Sequence, residues 1–167
     1  MALTTQINLG LICSLTGAAA DFGTPGFPVN YQKGITWATG VGLNQCDMVW
    51  SDQRTLTTGA NEDIDLAGAL TSHLGGTLTF ARMKGLILFA ALANTVNLTV
   101  SRPAAATGVP FLAAAGDAFV LKPGGLFVFT DPSAAGVVVT ATTGDIINVA
   151  NGSGTSVYDI FVLGGLT

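Results

Sequence analysis

Charge is the scarcest feature of this sequence. Lysine, arginine, aspartate and glutamate make up 10% of its 167 residues, whereas hydrophobic residues make up 49%; about 25% charged is typical. This composition excludes a disordered chain, which combines low hydrophobicity with high charge. The net charge of −4 repels phosphate backbones, so no nucleic-acid partner is expected. Soluble monomers interleave many charges of both signs, so we expect other protein subunits to cover much of this surface.

Long hydrophobic runs and a secretory signal are also lacking. A transmembrane helix needs about 18 or more consecutive apolar residues, and the best candidate, residues 85–93, is too short. No membrane partner is therefore expected. No lysine or arginine precedes Lys33, so the basic start of a signal peptide is missing. The two cysteines, Cys13 and Cys46, are too few and too far apart for a disulfide scaffold or a zinc site. They are predicted to be buried thiols in a reducing compartment.

Groups that carry catalysis or bind metals are equally sparse. Any catalytic Ser–His or Cys–His pair must use the one histidine, His73. The neighbours of His73 in the sequence carry no nucleophile signature. We therefore predict a turn residue there, no enzyme activity and no cofactor. The one dense acidic cluster consists of Glu62, Asp63 and Asp65. Asp63 and Asp65 share a strand face and could bind a cation together with a neighbouring chain. A charged strand edge that discourages edge-to-edge pairing is the favoured interpretation.

What the sequence does have is the composition of short strands joined by tight turns. It contains 22 glycines, together with abundant threonine and alanine. Residues 47–58 alternate and place Met48, Trp50 and Leu56 on one face, and Leu98 and Val100 lie in the clearest alternation of the chain. The apolar run at residues 85–92 suits a strand buried on both faces. We predict an all-β, jelly-roll-like antiparallel β-sandwich of about 8–10 short strands.

Turn chemistry supports this prediction. Pro123 and Gly124 suit the two central positions of a type II turn. Four aspartates recur at even spacing through the second half of the chain. They are Asp117, Asp131, Asp145 and Asp159. We interpret the spacing as a period of strand plus turn, in which each aspartate bonds the turn backbone.

The first 27 residues differ from the rest. They show no clear alternation and contain many small residues, which predicts an irregular N-terminal arm at 1–27 followed by a sandwich domain at 28–167. Five of the apolar residues of this arm are candidate interface residues, namely Leu9, Leu11, Ile12, Phe22 and Phe27. Because an arm has no core of its own, we expect it to lie on another surface. The alternative is a strand that completes the main sheet.

The order of several strings resembles a family. The stretch DMVWSDQRTLTTGANEDIDLAG is followed by ALTSHLGGTLTFARMKGLIL and NTVNLTV, and then by KPGG, TATTGDIINVAN and VYDIFVLG. This order is similar to that of small virion proteins of tailed bacteriophages. The resemblance covers about residues 37–165. The order of the strings is more specific to the family than any single string. The first 27 residues match no pattern of the family.

The resemblance implies a jelly-roll decoration, or cement, protein. Such proteins sit as homotrimers on the outer capsid surface and stabilise contacts between major capsid subunits. The expected location is therefore the virion, reached after assembly in the host cytoplasm. The alternative within the same resemblance is a tail or fibre protein that binds carbohydrate. It would use Trp37, Trp50 or Tyr31 on an exposed face, although these aromatics suit a sandwich core better.

Overall fold

The computed structural model describes residues 2–19, 23–68, 70–104 and 107–166, and Phe22 therefore lies outside the described residues. These ranges are built from β-strands and turns, and they contain no helix of the length and apolarity needed to cross a membrane. The strands are β1 (Thr5–Thr16), β2 (Gly26–Trp37), β3 (Met48–Leu56), β4 (Asn61–Asp65), β5 (Leu70–Thr71), β6 (Thr77–Leu78), β7 (Arg82–Ala90), β8 (Leu98–Ser101), β9 (Ala118–Leu121), β10 (Leu126–Thr130), β11 (Val137–Val138), β12 (Ile146–Asn151) and β13 (Ser156–Gly165).

Two antiparallel sheets form the body of the molecule. The first sheet has the strand order β10-β7-β13-β3, with β11 also paired to β7, and the second has the order β4-β12-β8-β9. The chain passes repeatedly from one sheet to the other, for example from β3 to β4 and from β7 to β8. The predicted all-β antiparallel sandwich is confirmed.

The core lies between the two sheets because every second side chain of a strand points to the same face. Leu88 and Ile160 of the first sheet share one buried cluster with Val100, Ile147 and Val149 of the second. Each of these side chains is fully buried. Burial of one such side chain stabilises the fold by about 1.5–3 kcal/mol before the cost of ordering it.

The alternation predicted for two strands is confirmed. Met48, Trp50 and Leu56 are buried in the core, and so are Leu98 and Val100. The prediction for the apolar run at 85–92 is only half right. In β7, Leu86 and Leu88 face the core, but Phe89 on the other face is exposed because no layer formed by the described residues covers it.

The turn predictions are largely confirmed. Gly124 has φ of 73°, and the amide of Gly125 donates to the carbonyl of Lys122, as a type II turn requires. Asp117, Asp131 and Asp145 each accept a hydrogen bond from a backbone amide two or three residues away. Asp159 is the exception, because it lies within β13 and accepts a hydrogen bond from the Gln53 amide instead.

The N-terminal segment is more regular than its composition predicts. Strands β1 and β2 pair over their full length, from Thr5 opposite Trp37 to Thr16 opposite Gly26. Twelve residues per strand make a two-stranded ribbon of about 40 Å. It joins neither sheet of the sandwich, so the alternative of a strand completing the main sheet is wrong. Residue 27, the predicted boundary of the arm, lies inside β2.

Candidate interaction surfaces

The base of the ribbon is fixed to the sandwich by a small second core. Its buried residues are Trp37, Cys46 and Leu163, and its half-buried ones are Leu3, Ile7 and Ile35. The Cys46 thiol donates to the carbonyls of Met48 and Gly164, and burial raises its pKa. These contacts hold the base of the ribbon against the end of β13, so the direction in which the ribbon leaves the sandwich is set there.

A buried lysine reinforces this base. Lys84 is fully buried, and its ammonium donates to the carbonyl oxygens of Gly42, at 2.5 Å, and Val41, at 3.3 Å. Both carbonyls belong to the loop that connects the ribbon to β3. Desolvation lowers the pKa of Lys84. The lysine thus ties this loop to the first sheet.

Beyond its base, the ribbon has one apolar face. Residues directly opposite each other in an antiparallel pair point to the same side, and so does every second residue along each strand. Applied to the observed register, this rule assigns nine apolar residues, besides Trp37 at the base, to a single face. This apolar ribbon face consists of Ile7, Leu9, Leu11, Cys13, Leu15, Phe27, Val29, Tyr31 and Ile35. Leu9, Leu11, Leu15, Phe27 and Tyr31 are exposed on it.

The opposite face of the ribbon is polar or small, apart from one residue. It carries Gln6, Asn8, Gly10, Ile12, Ser14 and Thr16 on β1, and Gly26, Pro28, Asn30, Gln32, Gly34 and Thr36 on β2. Of the predicted interface residues, Leu9, Leu11 and Phe27 therefore lie together. Ile12 is equally exposed but points away from them.

The predicted interface set omitted Leu15, Val29 and Tyr31, which also belong to this face. The signal was present, because apolar residues occupy every odd position from Ile7 to Leu15. The apolar Ile12 at an even position obscured that period. The prediction of two buried thiols is wrong for Cys13, which is exposed on the apolar ribbon face, and right for Cys46.

A second apolar surface lies on the outer face of the first sheet, away from the core. In the observed register, Leu126 lies opposite Phe89, and Val128 lies opposite Ile87, which in turn lies opposite Phe161. These five residues, which we name the sheet patch, form adjoining rows across β10, β7 and β13. Four are exposed, and Ile87 is half-buried. The sheet patch is therefore a candidate interaction surface.

The structure brings His73 next to a serine. The His73 Nε2 atom lies 3.0 Å from the Ser51 hydroxyl and 2.8 Å from the Ser51 carbonyl oxygen, at a cavity of about 290 Å³. Because a carbonyl oxygen only accepts, Nε2 carries the proton in this arrangement. The ring nitrogen that faces the hydroxyl is therefore a donor, which is the opposite of what a general base requires. His73 lies in an exposed turn, as predicted.

The acidic cluster is divided among different partners. Glu62 accepts a hydrogen bond from the Tyr158 hydroxyl at 2.5 Å, and Asp63 accepts one from the Asn148 amide. Asp65 instead accepts from the backbone amide of Ala67. Within the described ranges, no group of three or more His, Cys, Asp or Glu side chains is arranged to hold a metal ion. Strand β4, which carries all three acids, is an edge strand, as the favoured interpretation of this cluster requires.

The aromatic residues considered for sugar binding are mostly internal. Trp50 belongs to the main core, and Trp37 belongs to the core at the ribbon base. Of these three aromatics only Tyr31 is exposed, and it lies on the apolar ribbon face. The predicted sandwich-core role is thus confirmed for Trp50, whereas Trp37 is buried in the ribbon-base core instead, so neither tryptophan can stack on a sugar at the surface.

The two apolar surfaces are therefore the features of this chain best suited to a function. In comparisons with known proteins, the chain matches no family model, no curated protein and no solved structure.

Proposed function

We propose that this protein is a bacteriophage capsid decoration protein that assembles as a homotrimer on the outer surface of the shell. The observation that carries the proposal is the ribbon, whose exposed apolar face extends away from the sandwich. A two-stranded ribbon in water is marginally stable by itself. A cover from another protein subunit would stabilise it.

The strand order supports the jelly-roll part of this proposal. A jelly roll has eight strands in two sheets, with connections that pass from one sheet to the other. The eight strands β3, β4, β7, β8, β9, β10, β12 and β13 follow such a path here, with four strands in each sheet. The order of strings that resembles phage virion proteins falls within the same region.

The proposed mechanism is burial of apolar surface across the joints between subunits. Each fully buried leucine or phenylalanine contributes about 1.5–3 kcal/mol before the costs of association. Several such contacts around a joint oppose the outward pressure of packaged DNA. The low charge of the chain suits this role, because few charged groups need to be desolvated when subunits meet.

A shortened ribbon tests the proposal. Replacing residues 9–33 with an Asn-Gly turn joins the paired residues Asn8 and Gly34 and keeps the base of the ribbon. We expect the sandwich to melt within a few degrees of the full chain and binding to purified heads that lack the protein to be lost. Unchanged occupancy on these heads, or binding of the full chain to tails alone, would contradict the decoration role.

A further inference from the structure

The chain carries two exposed apolar surfaces that match each other. We propose that the apolar ribbon face of one copy packs on the sheet patch of a second copy of this chain. The proposed contact gives the ribbon a partner, and it rests only on the part of the proposed function that concerns self-assembly of the chain. It requires no virus particle.

The first support is that the base of the ribbon already packs beside the sheet patch, on the same outer face of the first sheet, within one chain. At the ribbon base, Ile35 of the apolar ribbon face and Trp37, on the same side of β2, pack with Leu163. Leu163 lies opposite Gly85 and Val49 on the outer face of the first sheet, one row from Phe161. This contact leaves the rest of both surfaces uncovered. Face-to-face packing of the ribbon on this sheet is therefore a geometry that the chain itself uses.

The second support is charge. Among the twelve residues on the apolar side of β1 and β2, Lys33 is the one charged residue. Among the outer-face positions of β3, β10, β13 and residues 85–90 of β7, Asp159 is the one charged residue, and it adjoins Phe89 of the sheet patch. Each surface thus carries a single charge of opposite sign near its apolar residues. This complementarity favours ribbon on sheet over ribbon on ribbon, in which neither lysine would meet a charge of opposite sign.

The third support is area. Five large side chains of the ribbon face are each more than half exposed, which amounts to roughly 500 Å² of surface at about 100 Å² each. The four exposed residues of the sheet patch add roughly 300 Å². One ribbon-to-sheet contact therefore buries roughly 800 Å² in total, about half of the roughly 1,600 Å² of a standard complex. A copy that uses both of its surfaces takes part in two such contacts.

These areas favour a closed ring over an open dimer. The contact is heterologous, because two different surfaces of the same chain meet, and heterologous contacts that close generate rings. In a ring every copy uses its ribbon and its sheet patch once. We therefore expect assembly to pass from monomers to a closed ring with little open dimer.

Paired substitutions test the proposal on the full chain. Leu15 and Ile12 are both 75% exposed but lie on opposite faces of the ribbon. We expect Leu15→Ser to weaken self-association at least tenfold in sedimentation experiments, and Ile12→Ser to change it less than threefold. On the sandwich, Phe161→Ser should weaken association at least tenfold, whereas Val120→Ser on β9 of the other sheet should not. Melting curves establish that all four variants fold.

Mixing variants separates this contact from other arrangements. The Leu15→Ser variant retains an intact sheet patch, and the Phe161→Ser variant retains an intact ribbon. Because their mixture can form one intact contact and cannot close a ring, it should form one-to-one pairs that are weaker than the wild-type assembly and that neither variant forms alone. Likewise, Lys33→Asp and Asp159→Lys should each weaken association, and combining both in one chain should restore it. If sheet-patch variants associate normally while ribbon variants do not, ribbon-to-ribbon contact is present and the proposal is wrong.

The exposed thiol of Cys13 provides a direct readout, since it lies on the apolar ribbon face. It should react with a thiol reagent rapidly at low protein concentration and at least tenfold more slowly in the assembled protein. In Leu15→Ser, reaction should stay rapid at all concentrations.

A wild-type chain that is monomeric at all concentrations would overturn the inference, even if it binds heads. A chain that associates as described but binds no particle would overturn the proposed function alone.

Discussion

At the scale of the residue, the contact between Tyr158 and Glu62 leads to the first prediction. Tyr158 is 1% exposed, and its hydroxyl donates to the Glu62 carboxylate, which also lies 3.6 Å from Arg54. A hydrogen bond to a charged group contributes about 1.5–3 kcal/mol. We expect Tyr158→Phe to lower the free energy of unfolding by about 1.5 kcal/mol, as measured by urea denaturation. The same change at the exposed Tyr31 should alter it by less than about 0.5 kcal/mol.

The same contact predicts a dependence on pH. Burial and the hydrogen bond to Glu62 raise the pKa of Tyr158 well above its ordinary value. Because the folded-state pKa exceeds that of the unfolded chain, this stabilisation is complete below pH of about 10 and is lost as the pH rises further. The difference in unfolding free energy between wild type and Tyr158→Phe should therefore shrink above a pH of about 10. A constant difference from about pH 8 to about pH 11 would contradict this assignment.

Single residues also show where local sequence rules apply and where they fail. Asp117, Asp131 and Asp145 bond the turn backbone because short carboxylates reach amides two or three residues away without help from the rest of the fold. Asp159 has the same spacing in sequence but lies within β13, where its partner is a side chain of the neighbouring strand. That partner is 106 residues away, and no local pattern contains it.

At the scale of the element, the irregular pairing of β13 with β7 leads to the next prediction. The register shifts between Leu163 and Gly164, and a Cβ atom at position 164 would overlap the Arg82 carbonyl and the Phe80 ring. Overpacking of this kind costs about 1–3 kcal/mol. We expect Gly164→Ala to lower the unfolding free energy by about 2 kcal/mol or more, measured by urea denaturation.

A glycine of the ribbon provides the matched control for this variant. Gly10 lies on the polar face of the ribbon, and among the described residues other than its two chain neighbours no heavy atom lies within 4 Å of the place where a Cβ atom would stand. Gly10→Ala should change the unfolding free energy by less than about 0.5 kcal/mol. Equal effects at the two positions would mean that the crowding at Gly164 is relieved at no cost, contrary to the prediction.

Elements differ in how far the sequence predicts them. Strand β8 was predictable, because one of its faces is buried and the other is exposed to solvent. Apolar residues, including Leu98 and Val100, therefore alternate with polar ones. The ribbon was harder to predict, because Ile12 on its polar face interrupts the alternation of apolar and polar residues along β1. The outer face of β7 was predicted to be buried. Its composition is that of a covered strand, yet Phe89 on that face is exposed.

At the scale of the whole molecule, the exposed outer face of β7 reflects the composition of the chain. A chain with 10% charged residues has too few charges to cover its surface, and nine of the seventeen large hydrophobic side chains that are exposed in the described residues lie in the ribbon face and the sheet patch. The sequence shows the shortage of charge, from which we expect other subunits to cover much of the exterior. It does not show where the two surfaces lie, because the ribbon and the sheet patch are far apart in the sequence and each is assembled from strands that pair only in the folded chain.

The apolar character of the proposed contact leads to the last prediction, which concerns salt. Each ribbon-to-sheet contact contains one opposite-charge pair, Lys33 and Asp159, and an exposed pair contributes about 0.2–1 kcal/mol, which salt screens. Raising sodium chloride from about 0.05 to about 1 M should therefore weaken self-association by no more than about fivefold. Sodium sulfate should strengthen it, because sulfate increases the drive to bury apolar surface. In Lys33→Met, the weakening by sodium chloride should disappear while the response to sulfate persists. A loss of a hundredfold or more in sodium chloride would mean that charge, and not apolar burial, holds the copies together.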